Sequence, residues 1–363
     1  MNPEFWKDKT VLVTGHTGFK GSWLCLWLQS VGARVTGYAI DPPTDPSLFE
    51  MAGVSAGMTS LRGDVRELEA LARAVHDAKP EIVIHMAAQP IVRTSYEQPV
   101  TTFHTNVLGT VHLMEAVRQV GGVRALIVVT SDKCYENREW FWSYREKSSL
   151  GGDDPYSASK ACAELAFAAY RKSFFNEADY RRHGVACASV RAGNVIGGGD
   201  WAKDRLVPDT MRAVLSGHVL HVRNPDATRP WQHVLEPLNG YLTLAERLYT
   251  DGPPFVGSWN FGPSDMSERT TGWIVEQLHA LWGAGQQWTM GAAGNEPHEN
   301  TYLKLDSSKA RALLGWAPLL DLPTTLEWVI AWNQALQAGS EMGEVTTEQI
   351  RTFMALGRVQ AAA

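Results

Sequence analysis

Short apolar runs alternate with helical patterns through the first half of the chain. Residues 10–14 form a β-branched apolar run, and residues 22–31 carry apolar side chains at helical spacing. Residues 82–86 are wholly apolar, as expected for a buried parallel strand. The same criteria predict strands at 34–40, 60–63, 124–130 and 185–190, and helices from 64 to about 78, at 103–120 and at 155–175. This alternation predicts an α/β fold with a doubly wound parallel sheet that helices cover on both faces.

The pattern weakens after Asn194. Residues 197–200 are rich in glycine, and residues 223–231 are basic and rich in turn-forming residues. Further helices are predicted at 208–216, 235–248, 270–282 and 322–338. We therefore expect one domain over residues 1–195. Residues 196–363 are expected to form mainly a smaller lobe, with some of the chain returning to the first domain.

A glycine-rich turn joins the first predicted strand to the first predicted helix. Gly15, Gly18 and Gly21 are spaced three apart. The first glycine permits a tight turn, the second lets a pyrophosphate approach the backbone, and the third lets the helix pack closely on the strand. The free N–H groups at the helix start then face the phosphates. The turn therefore predicts a Rossmann-type dinucleotide site.

Composition narrows the class of partner. The 363 residues are 44% hydrophobic and 20% charged, a balance typical of globular proteins. The net charge of -6 argues against nucleic acid or an anionic membrane as the main partner. The four cysteines lack C-x-x-C or zinc spacing, so we expect reduced thiols and no metal site. No apolar run has the length of a signal peptide core or a membrane span, which favours a cytoplasmic location.

Tyr156 and Lys160 are the first candidates for catalysis. Four residues apart on a predicted helix, they share one face. An ammonium group beside the phenol, with a nicotinamide cation close by, is expected to lower the tyrosine pKa towards neutrality. The phenolate can then take a proton from a hydroxyl while hydride leaves the same carbon. Tyr-x-x-x-Lys alone is common on helices, but here it follows the glycine turn and a strand ending in Thr130-Ser131.

Several motifs together resemble the extended short-chain dehydrogenase/reductase family. They lie at residues 14–21, 85–89, 106–110, 156–160, 191–197, 229–234 and 305–318. Within that family, residues 131–156, 18–24 and 43–49 are similar to the subfamily of CDP-glucose 4,6-dehydratases. The resemblance implies an NAD-dependent lyase acting on CDP-glucose, as a homodimer or homotetramer. Two alternatives stay open: a dehydratase or epimerase of another nucleotide sugar, and a non-catalytic NAD-binding module.

The resemblance also implies roles for the catalytic residues. Tyr156, activated by Lys160, removes the proton of the glucose 4-hydroxyl, and Ser131 hydrogen-bonds that oxygen. Asp132 protonates the departing 6-hydroxyl. Lys133 acts at C5, either as the base or as a cation that stabilises the enolate. A lysine base requires a lowered pKa, as a closed apolar site can provide.

The implied cofactor is NAD. The residues expected to bind it are Gly15, Thr17, Gly18, Phe19, Lys20, Gly21, Asp64, Val65, Ala87, Ala88, Gln89, Asn106, Tyr156 and Lys160. Ala39 occupies the usual place of the ribose-binding acid, and Asp41 is either a ribose contact or a surface loop aspartate. No arginine pair follows to receive a 2′-phosphate, which favours NAD over NADP.

Basic residues in the second half are candidates for binding the nucleotide sugar. The substrate candidates are Asn194, Arg205, Arg223, Arg229, His298 and Glu299. Planar guanidinium groups bind a diphosphate in a bidentate manner. Arg229 matches the family's phosphate-contacting arginine, whereas Arg205 and Arg223 are equally compatible with a solvated surface. The residues alone do not distinguish cytosine from thymine, so CDP rests on the resemblance.

Overall fold

A parallel sheet of seven strands forms the centre of the molecule. In this computed structural model, which describes residues 1–283, 288–291 and 302–362, the strands are β1 (Thr10–Thr14), β2 (Arg34–Ala39), β3 (Thr59–Arg62), β4 (Ile82–His85), β5 (Ala125–Val129), β6 (Ala186–Arg191) and β7 (Gly257–Asn260). Their order in the sheet is β7-β6-β5-β4-β1-β2-β3, and all neighbouring pairs are parallel. The doubly wound α/β fold expected from the sequence is confirmed.

Helices cover both faces of this sheet. They are α1 (Pro3–Trp6), α2 (Phe19–Ser30), α3 (Leu48–Met51), α4 (Leu68–Ala78), α5 (Val92–Glu97), α6 (Pro99–Phe103), α7 (Gly109–Val120), α8 (Pro155–Phe174), α9 (Tyr180–His183), α10 (Leu206–Ser216), α11 (Leu235–Thr250), α12 (Thr271–Trp282), α13 (Ser308–Leu314), α14 (Leu322–Gln337) and α15 (Met342–Ala362). Within the described ranges, no helix combines the length and apolar character needed to cross a membrane.

Alternate residues of the central strands feed two separate cores. Val11 and Val13 face the core that holds Trp23 and Trp27 of α2, whereas Leu12 faces the opposite core. That second core is completed by side chains of α4 and α7. The strands are apolar on both faces because each face is covered, as in other parallel sheets.

The observed elements differ from the predicted ones mainly at their ends. The helix predicted from residue 103 begins at Pro99 and contains a π-helical turn, His104–Leu108, before it continues as α7. Among the elements that the sequence analysis did not predict are β7, which pairs with β6, and α15, which packs on α2. Burial of Ile350 and Phe353 in the same core as Trp27 holds α15 in place.

The chain after residue 196 divides between the sheet and a separate cluster. Apolar side chains of α10, α12 and α14 form a core of their own. Pairs of very short strands support it: Val195–Ile196 with Gln232–His233, Thr228–Pro230 with Glu268–Thr270, and Leu220–Val222 with Trp288–Met290. By contrast β7 joins the central sheet, and α11 packs on β5 and β6.

The carboxyl ends of β1, β4, β5 and β6 meet at one edge of the sheet. In open parallel sheets the ligand crevice lies outside this edge. The glycine turn follows β1, residues 86–90 follow β4, and residues 131–133 follow β5. The fold therefore brings together most of the motifs found in the sequence.

Candidate active site

The glycine turn has the geometry that a dinucleotide requires. Gly15 has a φ of +75°, and a Cβ there would lie 2.7 Å from the backbone nitrogen of Ala87. A Cβ on Gly21 would lie 2.1 Å from the carbonyl oxygen of Gly15, so this glycine permits close helix packing. At Gly18, a Cβ would make only an ordinary 3.5 Å contact. The protein itself therefore leaves room beside Gly18, where a phosphate would approach the helix start.

Lys20 extends from this turn towards the candidate catalytic residues. Its Nζ donates a hydrogen bond of 3.2 Å to the Tyr241 hydroxyl, which is fully buried on α11. Burial lowers the pKa of Lys20 to about 7; the charges of Lys160 and Arg205 act in the same direction, and Asp132 opposes them. The sequence analysis placed Lys20 among the cofactor contacts without revealing this position beside the catalytic groups.

Further candidate cofactor residues lie near the carboxyl ends of β2 and β3. Thr17 donates its hydroxyl to the carbonyl oxygen of Ile40 at 3.0 Å. Asp64 is bound by Arg66, whose side chain holds the pKa of the Asp64 carboxyl below its usual value. The Asp41 side chain is 90% exposed and forms an ion pair of 3.1 Å with Arg62.

Asn106 fixes the loop after β4 to the catalytic helix. Its side chain accepts the backbone N–H of Gln89 at 2.8 Å and donates to the Gln89 carbonyl and to the Ser159 hydroxyl. The π-helical turn contains Asn106, and such turns often mark functional positions in helices. The structural role implied by the family resemblance fits these bonds. Ala87 and Ala88 precede Gln89 in this loop, and Val65 is buried in the core that α4 and α7 complete.

The end of β5 forms a tight turn that holds the candidate acid. Ser131 donates its hydroxyl to Asp132 at 2.9 Å, and the Lys133 backbone N–H donates to the same carboxylate oxygen at 2.9 Å. Asp132 is only 4% exposed. Burial raises the pKa of its carboxyl, although Ser131, Lys133 and Arg229 oppose the shift. A raised pKa keeps the proton on a carboxyl, as general acid catalysis requires.

Gly193 lies against this turn, and the sequence analysis missed it. A Cβ at Gly193 would lie 2.0 Å from Oδ2 of Asp132. The backbone of the Arg191–Asn194 segment therefore approaches the carboxylate as closely as a glycine allows. The signal was present in the Ala192-Gly193-Asn194 motif, but a glycine in a loop does not reveal its neighbour.

Tyr156 and Lys160 lie at the start of α8, opposite the turn. Asp154 caps this helix by accepting the Ser157 backbone N–H at 2.9 Å. The Ser131 side chain acts on the Tyr156 phenol and opposes the rise of its pKa. Lys160 donates to the carbonyl oxygen of Val129, the last residue of β5, at 3.4 Å. The structure thus brings the two predicted catalytic motifs into one site.

The pKa expected for Tyr156 differs from that found in the protein alone. Burial raises the pKa of the Tyr156 phenol to about 12 in the protein alone, because desolvation of the phenolate outweighs the favourable contributions of Ser131 and Arg205. The expected shift towards neutrality includes the charge of a bound nicotinamide and stays a prediction. Burial lowers the pKa of Lys160 to about 8.

A buried ion pair supports the site from behind. Glu164, one turn after Lys160, accepts a hydrogen bond from Thr130 at 2.5 Å and is bound by Arg191 at 2.6 and 2.9 Å. Burial alone would raise the pKa of Glu164, but Arg191 and the hydroxyl donors hold it below its usual value. Arg191 also donates to Tyr135 at 2.7 Å. This network joins β5, β6 and α8 directly behind the catalytic turn.

The substrate candidates occupy different depths of the cleft. Arg205 pairs with Asp200 at 2.9 Å and contributes electrostatically to Tyr156. Arg229 is 8% exposed, and its charge acts on Asp132. Arg223 lies further out, paired with Asp204 at 3.0 Å.

The structure gives few contacts for the remaining substrate candidates. Asn194 has a left-handed backbone with a φ of +29°, and its carbonyl oxygen accepts the Gln232 N–H at 3.2 Å. His298 and Glu299 lie outside the described residues. The structure thus brings Arg205 and Arg229 to the candidate catalytic groups, while Arg223 lies with a second set of charges.

The fold and this site define a nucleotide-sugar-modifying enzyme family. The family model described as GDP-mannose 4,6 dehydratase matches residues 12–328. The chain belongs to this family, which confirms the resemblance to extended short-chain dehydrogenases/reductases.

Individual relatives narrow the comparison. A CDP-glucose 4,6-dehydratase of Salmonella typhimurium is 54% identical over 354 residues, which cover 98% of each chain. A dTDP-glucose 4,6-dehydratase of Streptomyces griseus is 27% identical over 89% of this chain and 93% of its own. Among solved structures, the NAD complex of a Thermus thermophilus UDP-glucose 4-epimerase superposes with a TM-score of 0.74. That epimerase is 25% identical, with 89% of this chain and 98% of the epimerase covered.

Proposed function

We propose that this protein is a CDP-glucose 4,6-dehydratase, a lyase that converts CDP-D-glucose to CDP-4-keto-6-deoxy-D-glucose and water. The observation that carries the proposal is the buried turn of Ser131, Asp132 and Lys133 against the Tyr156 phenol. The Asp132 carboxyl interacts electrostatically with both the Lys133 ammonium and the Tyr156 phenol, which supports a site for proton transfer. The 54% identity to the Salmonella enzyme over nearly the whole chain supports the same reaction and the same nucleotide.

The cofactor in this proposal is NAD. The turn at Gly15, Gly18 and Gly21 would hold its diphosphate, and the Thermus relative of similar fold was solved with NAD. When bound, NAD would accept hydride from the sugar C4 and return it to C6, so that the overall reaction involves no net oxidation.

Tyr156 serves as the base at the 4-hydroxyl in this scheme. The Ser131 side chain acts on the Tyr156 phenol, which supports a role for both groups at the same substrate oxygen. Because burial raises the phenol pKa to about 12 in the protein alone, positive charge must stabilise the phenolate during the reaction. Lys160 supplies one such charge from the next turn of α8, tied to β5 through the Val129 carbonyl.

Asp132 and Lys133 serve the elimination. The raised pKa of the buried Asp132 favours a protonated carboxyl, which donates its proton as the 6-hydroxyl leaves as water. The C5 proton leaves to a base on the protein. Lys133 is our candidate at C5, as that base or as the cation that stabilises the enolate.

We also propose a division of labour along the chain. Residues 1–195 bind NAD and carry the catalytic residues, and residues 196–363 mainly bind the nucleotide sugar. The placement of Arg205 and Arg229 beside catalytic groups supports a substrate role for the second part. The return of β7 to the sheet supports the expected partial contribution of that part to the NAD-binding domain.

A homo-oligomer completes the proposal, with a dimer as its smallest unit. The outer faces of α6 to α8 and the intervening turn expose apolar side chains, including Val100 at 81% and Leu165 at 59% exposure. Pairing of these faces between two copies would remove the exposed apolar surface from water. Light scattering coupled to gel filtration should give at least the mass of a dimer, and Val100→Asp together with Leu165→Asp should give a monomer.

The reaction itself tests the proposed function. Purified protein with CDP-glucose and a catalytic amount of NAD⁺ should form a 4-keto product. That product should absorb ultraviolet light in alkali, and mass spectrometry should show the loss of one water molecule. A panel of CDP-, dTDP-, GDP- and UDP-glucose with GDP-mannose identifies the preferred nucleotide sugar. A higher kcat/KM on a nucleotide other than CDP would reassign the substrate. NAD binding without turnover of any panel member would favour a non-catalytic module.

A further inference from the structure

Gln232 carries a buried amide that the sequence analysis did not single out. It belongs to the motif of residues 229–234, in which only Arg229 was predicted to have a role. The residue is 2% exposed. Its backbone N–H donates to the carbonyl oxygen of Asn194 at 3.2 Å. Gln232 therefore lies directly beside the segment that follows β6.

The side-chain amide of Gln232 joins two backbone segments. Its Nε2 donates to the carbonyl oxygen of Gly193 at 3.1 Å and to that of Phe261, the first residue after β7, at 3.0 Å. An amide nitrogen has two N–H groups, so these bonds use both donors. The amide oxygen is buried and has no hydrogen-bond partner among the described residues. Two carbonyl oxygens thus fix which way the amide points, because its own oxygen in that place would be repelled by both.

The segment that Gln232 holds also encloses Asp132. The carbonyl oxygen of Ala192 accepts the Asp132 backbone N–H at 3.4 Å. Next along the chain, a Cβ at Gly193 would lie 2.0 Å from Oδ2 of Asp132, so the Gly193 backbone directly covers the carboxyl. Burial is the main cause of the raised pKa of Asp132. The position of the Gly193 peptide therefore affects both the placement of this carboxyl and its exposure to water.

We propose that Gln232 is a positioning residue for the elimination step. By fixing the Gly193 carbonyl, it holds residues 192–194 against Asp132. The carboxyl then stays in place and shielded from water until it delivers its proton to the departing 6-hydroxyl. This inference rests on the proposed function and on Asp132 as its acid. Gln232 acts through Gly193 and does not itself contact the reacting atoms.

The two halves of the reaction distinguish positioning from a general structural role. Oxidation at C4 uses Tyr156 as the base and passes a hydride to NAD⁺, so it does not require the Asp132 proton. Departure of the 6-hydroxyl as water does require that proton, and the hydride returns to C6 only after this departure. A variant that is impaired at Asp132 should therefore accumulate bound NADH during turnover. A variant with general structural damage should slow both halves and show no such accumulation.

Gln232→Met removes both N–H donors and keeps a side chain of similar length. In turnover of CDP-glucose, kcat should fall about tenfold, because a displaced general acid loses part of its contribution. KM should not rise, because the backbone bond from residue 232 to Asn194 is kept. Stopped-flow absorbance should show a larger fraction of the cofactor as NADH in the steady state than in the wild type.

A change of leaving group tests the same step independently. With CDP-6-deoxy-6-fluoro-D-glucose, the C6–F bond breaks, fluoride leaves with the electron pair, and the C5 proton goes to the same base. Fluoride is a much weaker base than hydroxide, so its departure needs less help from an acid. The loss of activity in Gln232→Met should therefore be smaller on the fluoro sugar than on CDP-glucose by about threefold or more. Equal losses on the two substrates would overturn the proposal.

Gln349 on α15 offers a matched control. Its Nε2 donates to the carbonyl oxygen of Trp328 on α14 at 2.9 Å, and its Oε1 is also buried without a hydrogen-bond partner in the described part of the chain. Gln349→Met thus removes the same kind of bond but leaves residues 192–194 held. Its kcat and its NADH fraction should stay within about twofold of the wild type.

Gly193→Ala tests the route from Gln232 to Asp132. The added Cβ would displace the Asp132 carboxyl from the other side of the same contact. In the Gly193→Ala background, Gln232→Met should therefore cause little further loss of kcat. Losses that multiply would show that Gln232 acts elsewhere. Should Gln232→Met fail to fold, Gln232→Asn, whose amide is one carbon shorter, decides the proposal by the same NADH and leaving-group measurements.

The inference and the proposed function fail in different ways. A wild type that does not dehydrate CDP-glucose refutes the function, and the role of Gln232 with it. A wild type that dehydrates CDP-glucose, with Gln232→Met behaving like Gln349→Met, refutes the role of Gln232 alone. A fall in kcat without accumulation of NADH refutes that role as well, because the amide would then support the fold and not the acid.

Discussion

The junction where the end of β5 meets α8, which carries the proposed catalytic residues, is built differently from the rim of the cleft. At the junction, Glu164 and Arg191 are no more than 2% exposed, and hydroxyl groups satisfy the carboxylate further. At the rim, ion pairs such as Asp41 with Arg62 lie largely in solvent. Burial makes the inner charges costly to leave unpaired, whereas water can replace the partners of the outer ones. The junction is therefore suited to fixed geometry, and the rim to exchangeable contacts.

The largest effect is expected at the junction, from Tyr156→Phe. Removal of the phenol hydroxyl deletes the proposed base while leaving the buried ring in place. Turnover of CDP-glucose should fall about 10²- to 10⁴-fold, the usual contribution of a general base. Product formation measured by mass spectrometry checks this, and the thermal unfolding midpoint should stay close to that of the wild type as a control. Near-normal turnover would show that the phenol is not the base.

Glu164→Ala tests the cost of a broken pair at the junction. The variant leaves the Arg191 guanidinium buried without its carboxylate, which should lower the free energy of unfolding by about 3–5 kcal/mol. Urea denaturation measures this loss. Glu348→Ala is the matched control, because Glu348 is 68% exposed and pairs with Arg351 on α15. Its effect should stay below about 0.5 kcal/mol. Equal losses of unfolding free energy in the two variants would show that the buried and the exposed ion pairs do not differ in their contribution to stability.

The buried carboxyl of Glu236 has no cationic partner among the residues that the structure describes, and it predicts a pH dependence of stability. It is 1% exposed, and burial raises its pKa to about 7 from a usual 4.5. The folded state holds the Glu236 proton more tightly than the unfolded state does. The resulting stabilisation of the folded state is therefore complete below pH 4.5 and is lost as the pH rises through 7.

The matched variant Glu236→Gln stays neutral and keeps an oxygen to accept the N–H groups of Leu319 and Leu320. Relative to this variant, the wild type should lose up to about 3 kcal/mol of unfolding free energy between pH 4.5 and 8. Urea titrations at several pH values measure the difference. A constant difference across that range would show that Glu236 does not hold its proton as the burial indicates.

The smallest effect is expected at the rim, from Asp41→Ala. Because the Asp41 carboxylate is 90% exposed and pairs with Arg62, its removal should weaken NAD binding less than about threefold. Fluorescence titration with NADH and calorimetry with NAD⁺ measure this. A loss of tenfold or more would identify Asp41 as a genuine ribose contact and move it from the rim to the binding site.

Much of the fold was predictable because its strands are buried on both faces. Apolar runs such as residues 82–86 are typical of buried parallel strands, and their ends agree with the structure to within a residue or so. The strand β7 was missed because Gly257-Ser258-Trp259-Asn260 has one large apolar side chain and is defined by its pairing with β6. The helix α15 was missed although its core-facing residues Met342, Val345, Ile350, Phe353 and Met354 recur at helical spacing, because the polar Thr346 interrupts the apolar face.

The site was predictable where spacing along the chain determines spacing in space. Tyr156 and Lys160 share a helix face by periodicity, and Ser131 to Lys133 follow a strand that ends at the crevice. The pKa of Tyr156 was not predictable, because it depends on how completely neighbours from several elements exclude water. The partners of Glu164 and of Asp204 were hidden for a related reason, since each comes from a distant part of the chain.

The contact between Lys20 and Tyr241 has a consequence for protein engineering. Dinucleotide-binding turns are attractive units to exchange between enzymes when a new cofactor preference is wanted. In this protein such a graft would also remove an ammonium group that lies among Lys160, Arg205 and Asp132. It would also remove the hydrogen bond that Lys20 donates to the buried Tyr241 hydroxyl. The turn therefore cannot be exchanged on its own. A successful exchange must also replace the ammonium group at position 20 and include a compensating substitution on α11.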